Sequence, residues 1–156
     1  MAIAITLKDY LYQFDIDYET LRHPHSSNSM ETARMAHVPG DQLAKSVLLR
    51  DANGFVEAVI PASHYVQMEQ LHSRTDRGLG LASEQEIQQR FPDCETGAIP
   101  PIGDAYGCDV YLDDKLAQCN DVYFESGDHE TLIHMSGKEF RKIMHAAQHG
   151  QISRHI

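Results

Sequence analysis

Apolar residues recur at helical spacing near the start of the chain, where Leu7, Tyr10, Leu11 and Phe14 stand at i, i+3, i+4 and i+7. That pattern predicts an amphipathic helix over residues 6–14, with Thr6 as N-cap and Asp9 three residues on. Asp17 to Arg22 reads as a first strand, ended by His23-Pro24. The polar run Ser26-Ser27-Asn28-Ser29 caps a second helix reaching His37, and Val38-Pro39-Gly40 stops it. Ala44 to Arg50 and Phe55 to Ile60 read as two strands joined through Asn53-Gly54, a tight hairpin turn.

Further on, Ser63 is placed to cap a helix over 64–72, and Ser83 with Glu86 forms a capping box for another that runs to Arg90. Short strands are expected at 79–82, 108–112 and 121–125. Gly127-Asp128 turns the chain into 131–135, so the last two strands should pair. Ser136-Gly137-Lys138-Glu139 opens a terminal helix whose Phe140, Ile143, Met144 and Ala147 make one apolar stripe. Helices and strands interleave irregularly around a tight hairpin, which points to an α+β domain with a mixed, curled sheet. A chain of 156 residues is one domain, 1–156, with an ordinary globular composition of 42% hydrophobic and 23% charged residues.

Charge and cysteine content narrow the partners. The formal net charge is −10, which argues against indiscriminate nucleic-acid binding, and no DNA partner is expected. The charge is uneven: Arg22, Arg34, Lys45, Arg50, Arg74, Arg77 and Arg90 precede an acidic segment from Asp104 to Glu130. No apolar run approaches the roughly 18 residues that span a bilayer, so no membrane association is expected. Met1-Ala2-Ile3-Ala4-Ile5-Thr6 lacks the form of a signal peptide. Cys94, Cys108 and Cys119 are odd in number and lack CxxC spacing, which favours free thiols in a reducing, cytoplasmic setting over disulfides or a zinc site.

The chain has no Gly-x-Ser-x-Gly, no His-Glu-x-x-His and no phosphate-cradling or dinucleotide glycine motif. Chemistry would then rest on positioning, electrostatics and a water nucleophile. Two features suit that scheme. Lys45 heads the apolar run Ser46-Val47-Leu48-Leu49, where it can hold a carbonyl or phosphate oxygen. Gly97-Ala98-Ile99-Pro100-Pro101-Ile102-Gly103 is a stiff loop that can face it, with backbone N–H groups near Gly97 as an oxyanion or ribose contact. Each also has a plain explanation, as an edge lysine guarding against aggregation and as a rigid connector. His23, His25, His129 and His134 are further candidates for proton transfer or ligand contact.

The order of these landmarks resembles the YbaK/EbsC aminoacyl-tRNA deacylases, homologous to the editing domain inserted in bacterial prolyl-tRNA synthetases. The resemblance is carried by His23 and Glu31-Thr32-Ala33, then by Gln42-Leu43-Ala44-Lys45-Ser46-Val47-Leu48-Leu49 and Pro61-Ala62-Ser63. It continues through Leu79-Gly80-Leu81-Ala82, the Gly97–Gly103 loop and Val122-Tyr123-Phe124-Glu125-Ser126-Gly127, and runs from about residue 17 to 144. It implies a barrel-like curled mixed sheet surrounded by helices, acting without metal or organic cofactor. The implied activity is hydrolysis of the ester on mischarged tRNA carrying a small amino acid of the Ala, Cys, Ser or Pro class. The implied partner is the tRNA 3′ aminoacyl-adenosine end, with a synthetase or elongation factor as a further candidate. Lys45 would bind and orient that end, acting as the catalytic residue. His23, Thr32, Ser46, Gly97, Ala98, Ile99, Pro100, Pro101, Gly103 and Gly127 would contact substrate. Some editing members carry a His-Pro pair in the late strand where Glu125-Ser126 stands here. That departure keeps open an alternative, a non-catalytic module of the same fold that binds a nucleotide, an aminoacyl end or a protein.

Overall fold

The computed structural model describes residues 3–26 and 28–156, so the part of the second helix cap that falls on Ser27 lies outside the described residues. Helix α1 (Ile5–Gln13) is followed by β1 (Glu19–Arg22), α2 (Ser29–Ala36) and the hairpin β2 (Leu43–Asp51) and β3 (Gly54–Pro61). Then come β4 (His64–Val66), α3 (Met68–Thr75), β5 (Gly80–Leu81), α4 (Glu84–Arg90) and a 3-10 turn, Gly103–Tyr106. The chain finishes with β6 (Asp109–Asp113), α5 (Asp114–Ala117), β7 (Asp121–Glu125), β8 (Thr131–Ser136), α6 (Gly137–Ile143), β9 (Gln148–Gly150) and β10 (Ser153–His155). Among the described residues, no helix is long and apolar enough to cross a membrane.

The main sheet runs β1-β8-β7-β2-β3-β6-β9, with β5 added to β2 and a separate β10–β4 pair. It is mixed: β2–β3 and β7–β8 are antiparallel, while β2–β7, β3–β6 and β6–β9 are parallel. The single-domain α+β architecture is the one expected. Strand β2 is its organiser, pairing with β7 at Leu43 and Ala44, with β3 along its length, and with β5 at Leu49 and Arg50.

Alternation along β2 and β3 separates two cores. One face carries Ala44, Val59, Leu112, Phe124 and Ile133 against Leu7 and Leu11 of α1 and Phe140 and Ile143 of α6. The opposite face carries Leu49, Val56, Ala58 and Ile60 against Leu71 of α3 and Ile152. The Ser83–Glu86 capping box is present at α4, and Asp51 closes the hairpin by accepting from Asn53 N–H at 2.8 Å.

Three local expectations need correction. Thr6 does not cap α1; its N–H donates instead to Asp93 Oδ2 at 3.0 Å, and Ala4 holds the cap position. Ser63 does not open a helix, because its hydroxyl bonds the Asp41 carboxylate and His64–Val66 is pulled into a strand by β10. The terminal helix stops at Ile143, and the chain continues as β9 and β10. Helix α5 escaped notice because it is a single turn, capped by Asp113.

Candidate active site

Strands β2 and β7 run side by side only at Leu43–Tyr123 and Ala44–Phe124, then part. Lys45 and Glu125 are the next residues on each strand. Alternation turns both toward the face shared by Leu43 and Tyr123. Lys45 is half-buried, and its Nζ donates to the backbone carbonyl of His64 at 2.7 Å. Among the described residues no carboxylate lies within ion-pair distance of it. Nζ spends one donor on that carbonyl and has donors left for another acceptor. Burial lowers its pKa from the ordinary lysine value.

The carbonyl that holds Lys45 is itself anchored. His64 Nδ1 lies 2.9 Å from Ser153 Oγ, and Ser153 Oγ donates to Asp113 Oδ2 at 2.7 Å. Asp113 Oδ2 also accepts the Ile152 N–H at 3.0 Å. His64, Asp113 and Ser153 are all buried, so the β4–β10 pair is fixed to the end of β6 by a closed polar chain.

Glu125 is the centre of a second buried cluster. Its Oε1 lies 3.3 Å from His23 Nε2, and its Oε2 accepts from Thr32 Oγ1 at 3.1 Å and lies 3.4 Å from His129 Nδ1. Thr32 is held in turn by the Ser26 hydroxyl. Each histidine has its other ring nitrogen against a carbonyl: His23 Nδ1 at 2.7 Å from Pro24 O, and His129 Nε2 at 2.9 Å from Thr96 O. A nitrogen facing a carbonyl must carry a proton, which places one on His129 Nε2, while Nδ1 stands near Glu125 Oε2 without hydrogen-bond geometry. The pKa of His129 is raised, chiefly by the Glu125 carboxylate.

The Gly97–Gly103 loop bridges the two faces instead of standing opposite Lys45. Gly97 has φ +88°, and a Cβ there would meet His129 Nε2 at 3.1 Å, so the start of the loop lies on the Glu125 cluster. Ala98, Ile99, Pro100, Pro101 and Gly103 are buried. Ile99 packs with Leu48 and Phe91, and Ile102 with Ala44 and Val59, on the face away from Lys45. The Ala98 N–H is taken by Glu95 O at 3.0 Å and the Gly103 N–H by Glu57 Oε1 at 2.9 Å. Ser46 shares that face; its Oγ is buried with no partner among the described residues. Gly127, at φ +114°, is packed under Ala4 and Cys94, where a Cβ would sit 3.0 Å from Ala4 Cβ.

The structure therefore gathers His23, Thr32, Gly97 and Lys45 around the gap between β2 and β7. It puts Ser46, Ile99 and Gly103 behind the sheet. Glu125 is the member that the residue pattern left out, although the Glu125–His129 spacing across a turn was a usable signal. Burial disfavours the thiolate form at the cysteines: it pushes the Cys94 and Cys108 thiols up to about 12 and raises Cys119. His134 is tied to Glu19 and Asp121, both at 3.0 Å, away from the gap. Among the described residues no set of three or more His, Cys, Asp or Glu is arranged to hold a metal ion.

The aminoacyl-tRNA editing domain family model matches residues 23–143, a span that contains Lys45, Glu125 and the loop. No curated protein matches the sequence significantly. Among solved structures, a candidate trans-editing enzyme for prolyl tRNA synthetase is 18% identical, with 97% of this chain and 96% of that one covered and a TM-score of 0.84. A scaffold protein from computational epitope backbone grafting is also 18% identical, with 97% of each chain covered and a TM-score of 0.84. A candidate signal transduction protein from Marinobacter aquaeolei is 17% identical; the match takes in 97% of this chain but 31% of that one, with a TM-score of 0.76. At these identities the likeness is one of fold.

Proposed function

The chain belongs to the aminoacyl-tRNA editing domain family, and on that premise we propose that it is a trans-acting deacylase. It hydrolyses the ester of mischarged tRNA bearing a small amino acid of the Ala, Cys, Ser or Pro class. The observation that carries this reading is the half-buried Lys45 ammonium, held among the described residues by a neutral carbonyl alone, at the gap between β2 and β7. A charge so placed can hold the aminoacyl-adenosine end and stabilise the oxygen anion that forms when water attacks the ester carbonyl. Water's oxygen bonds to the carbonyl carbon, the bond to the ribose oxygen breaks, and the ribose hydroxyl and free amino acid leave.

Lys45 acts on the reacting oxygen, with His23, Thr32 and Gly97 as the nearer substrate contacts and Ala98, Ile99, Pro100, Pro101, Ser46, Gly103 and Gly127 as support. The setting is cytoplasmic, and a synthetase or elongation factor would offset the weak tRNA grip of a chain with net charge −10. The test is a deacylation screen over alanyl-, cysteinyl-, seryl- and prolyl-tRNAs on mismatched tRNA bodies, with wild type and Lys45→Ala side by side. Lys45-dependent loss of one ester class is the expected result. Unchanged ester lifetimes with Lys45-dependent binding of an aminoacyl-adenosine analogue would select the non-catalytic module instead.

A further inference from the structure

Glu57 is fully buried in β3, on the face of the hairpin that carries Ser46 and Leu48 and away from Lys45. A carboxyl group in that position needs a reason, since an unpaired buried charge is costly. Its Oε1 accepts the Gly103 N–H at 2.9 Å, at the last residue of the Gly97–Gly103 loop. Among the described residues its Oε2 makes no hydrogen bond of good geometry, and the Oγ of Ser46, the residue next to Lys45, is likewise unpartnered and near enough to act on it. The remaining groups around it are Asp104 of the 3-10 turn and the thiols of Cys94 and Cys108. The cation acting on Cys108, Arg90, lies over the Phe55 ring at 4.6 Å instead. Among the described residues Glu57 thus sits with hydroxyl, thiol, carboxylate and amide, and no cation stands within ion-pair distance of it.

We propose that Glu57 is a positioning residue of the deacylation pocket: as a neutral carboxylic acid it pins the Gly97–Gly103 loop to the strand pair that carries Lys45. The inference rests on the deacylase reading for its catalytic consequence, but not for the anchor itself. The loop start lies against His129 and the Glu125 cluster, and its end is tied at Gly103. Fixing one end fixes the wall at the other, because Pro100 and Pro101 leave little slack between them. The strong rise in the Glu57 pKa through burial agrees with the neutral form.

The anchor is tested with Glu57→Gln, which keeps a neutral acceptor for the Gly103 N–H, and Glu57→Leu, which removes it. Amide exchange at Gly103 should speed up at least tenfold in Glu57→Leu while Ile133 in β8 is unchanged, and Glu57→Gln should restore wild-type exchange. In the deacylation assay Glu57→Leu should raise KM for the aminoacyl ester by about an order of magnitude, with kcat much less affected, and Glu57→Gln should reverse it. Equal exchange in Glu57→Leu and wild type overturns the proposal, as does a Glu57→Gln variant that behaves like Glu57→Leu. If Glu57→Leu does not fold, infrared difference spectra of wild type against Glu57→Gln decide. A protonated-carboxyl band at pH 7 supports the proposal, and its absence overturns it. A wild type that cleaves no ester removes the deacylase reading while the exchange result still decides the anchor.

Discussion

Lys45 and Glu125 are the first residues beyond the last rungs joining β2 to β7, and both face the gap those parting strands leave. One is a cation held by a neutral oxygen; the other is a carboxylate surrounded by two imidazoles and a hydroxyl. The contrast sorts their roles. Lys45 has capacity for substrate, whereas both oxygens of Glu125 are occupied within the protein.

Lys45→Ala should therefore lower kcat/KM for the edited ester by about 100- to 1000-fold, the usual cost of losing one donor to a reacting oxyanion. The melting temperature should hardly move, because the lost bond is to a carbonyl that a water molecule can serve. Steady-state deacylation and a thermal melt on the same preparation check both halves.

Glu125→Ala should behave in the opposite way and cost about 3 kcal/mol of stability, the scale for removing one member of a buried charged cluster. His23 and His129 would each lose the acceptor between them. Urea unfolding compared with wild type measures the loss, and a Thr32→Val variant should lose less, since it removes one of the bonds to Glu125.

The Glu125 cluster also sets a pH dependence. His129 is bound more tightly as the cation, so its folded pKa lies above the ordinary value of 6.5. The stability it contributes is full below 6.5 and disappears as pH rises through the higher folded value. The gap in unfolding free energy between wild type and His129→Asn should thus be widest in mild acid and close on the alkaline side. Asn is the replacement of choice because residue 129 has φ 59°. Denaturant titrations at several pH values check it.

Gly97→Ala should cost about 2 kcal/mol, since φ +88° is strained for any L side chain and the new Cβ would press on the His129 ring. The same change should shift the His129 imidazole resonances in an NMR spectrum.

Much of this was legible in the residue pattern where the physics is local. The β2–β3 hairpin announces itself through Asn53-Gly54, the α4 start through its capping box, and β7–β8 through Gly127-Asp128. Strands β4, β9 and β10 were not legible, because short polar segments such as Gln148–Gly150 and Ser153–His155 become strands only against partners far away in sequence. The site divides along the same line. Lys45 stood out as a charge at the head of an apolar run. Glu125 did not, because its meaning depends on His23, on Thr32 and on a fold that brings them together. The loop stood out by its bounding glycines and its two prolines, but its sidedness follows from strand alternation and from Glu57, neither visible from spacing alone.

The β10–β4 pair has a consequence for the order in which the site comes into being. Lys45 is docked on the carbonyl of His64, and His64 is held by Ser153, which donates in turn to Asp113. On a ribosome the lysine emerges early, whereas β10 follows only after all the strands of the main sheet have been made. A nascent chain would thus carry its Lys45 undocked until β10 has been made and has paired with β4.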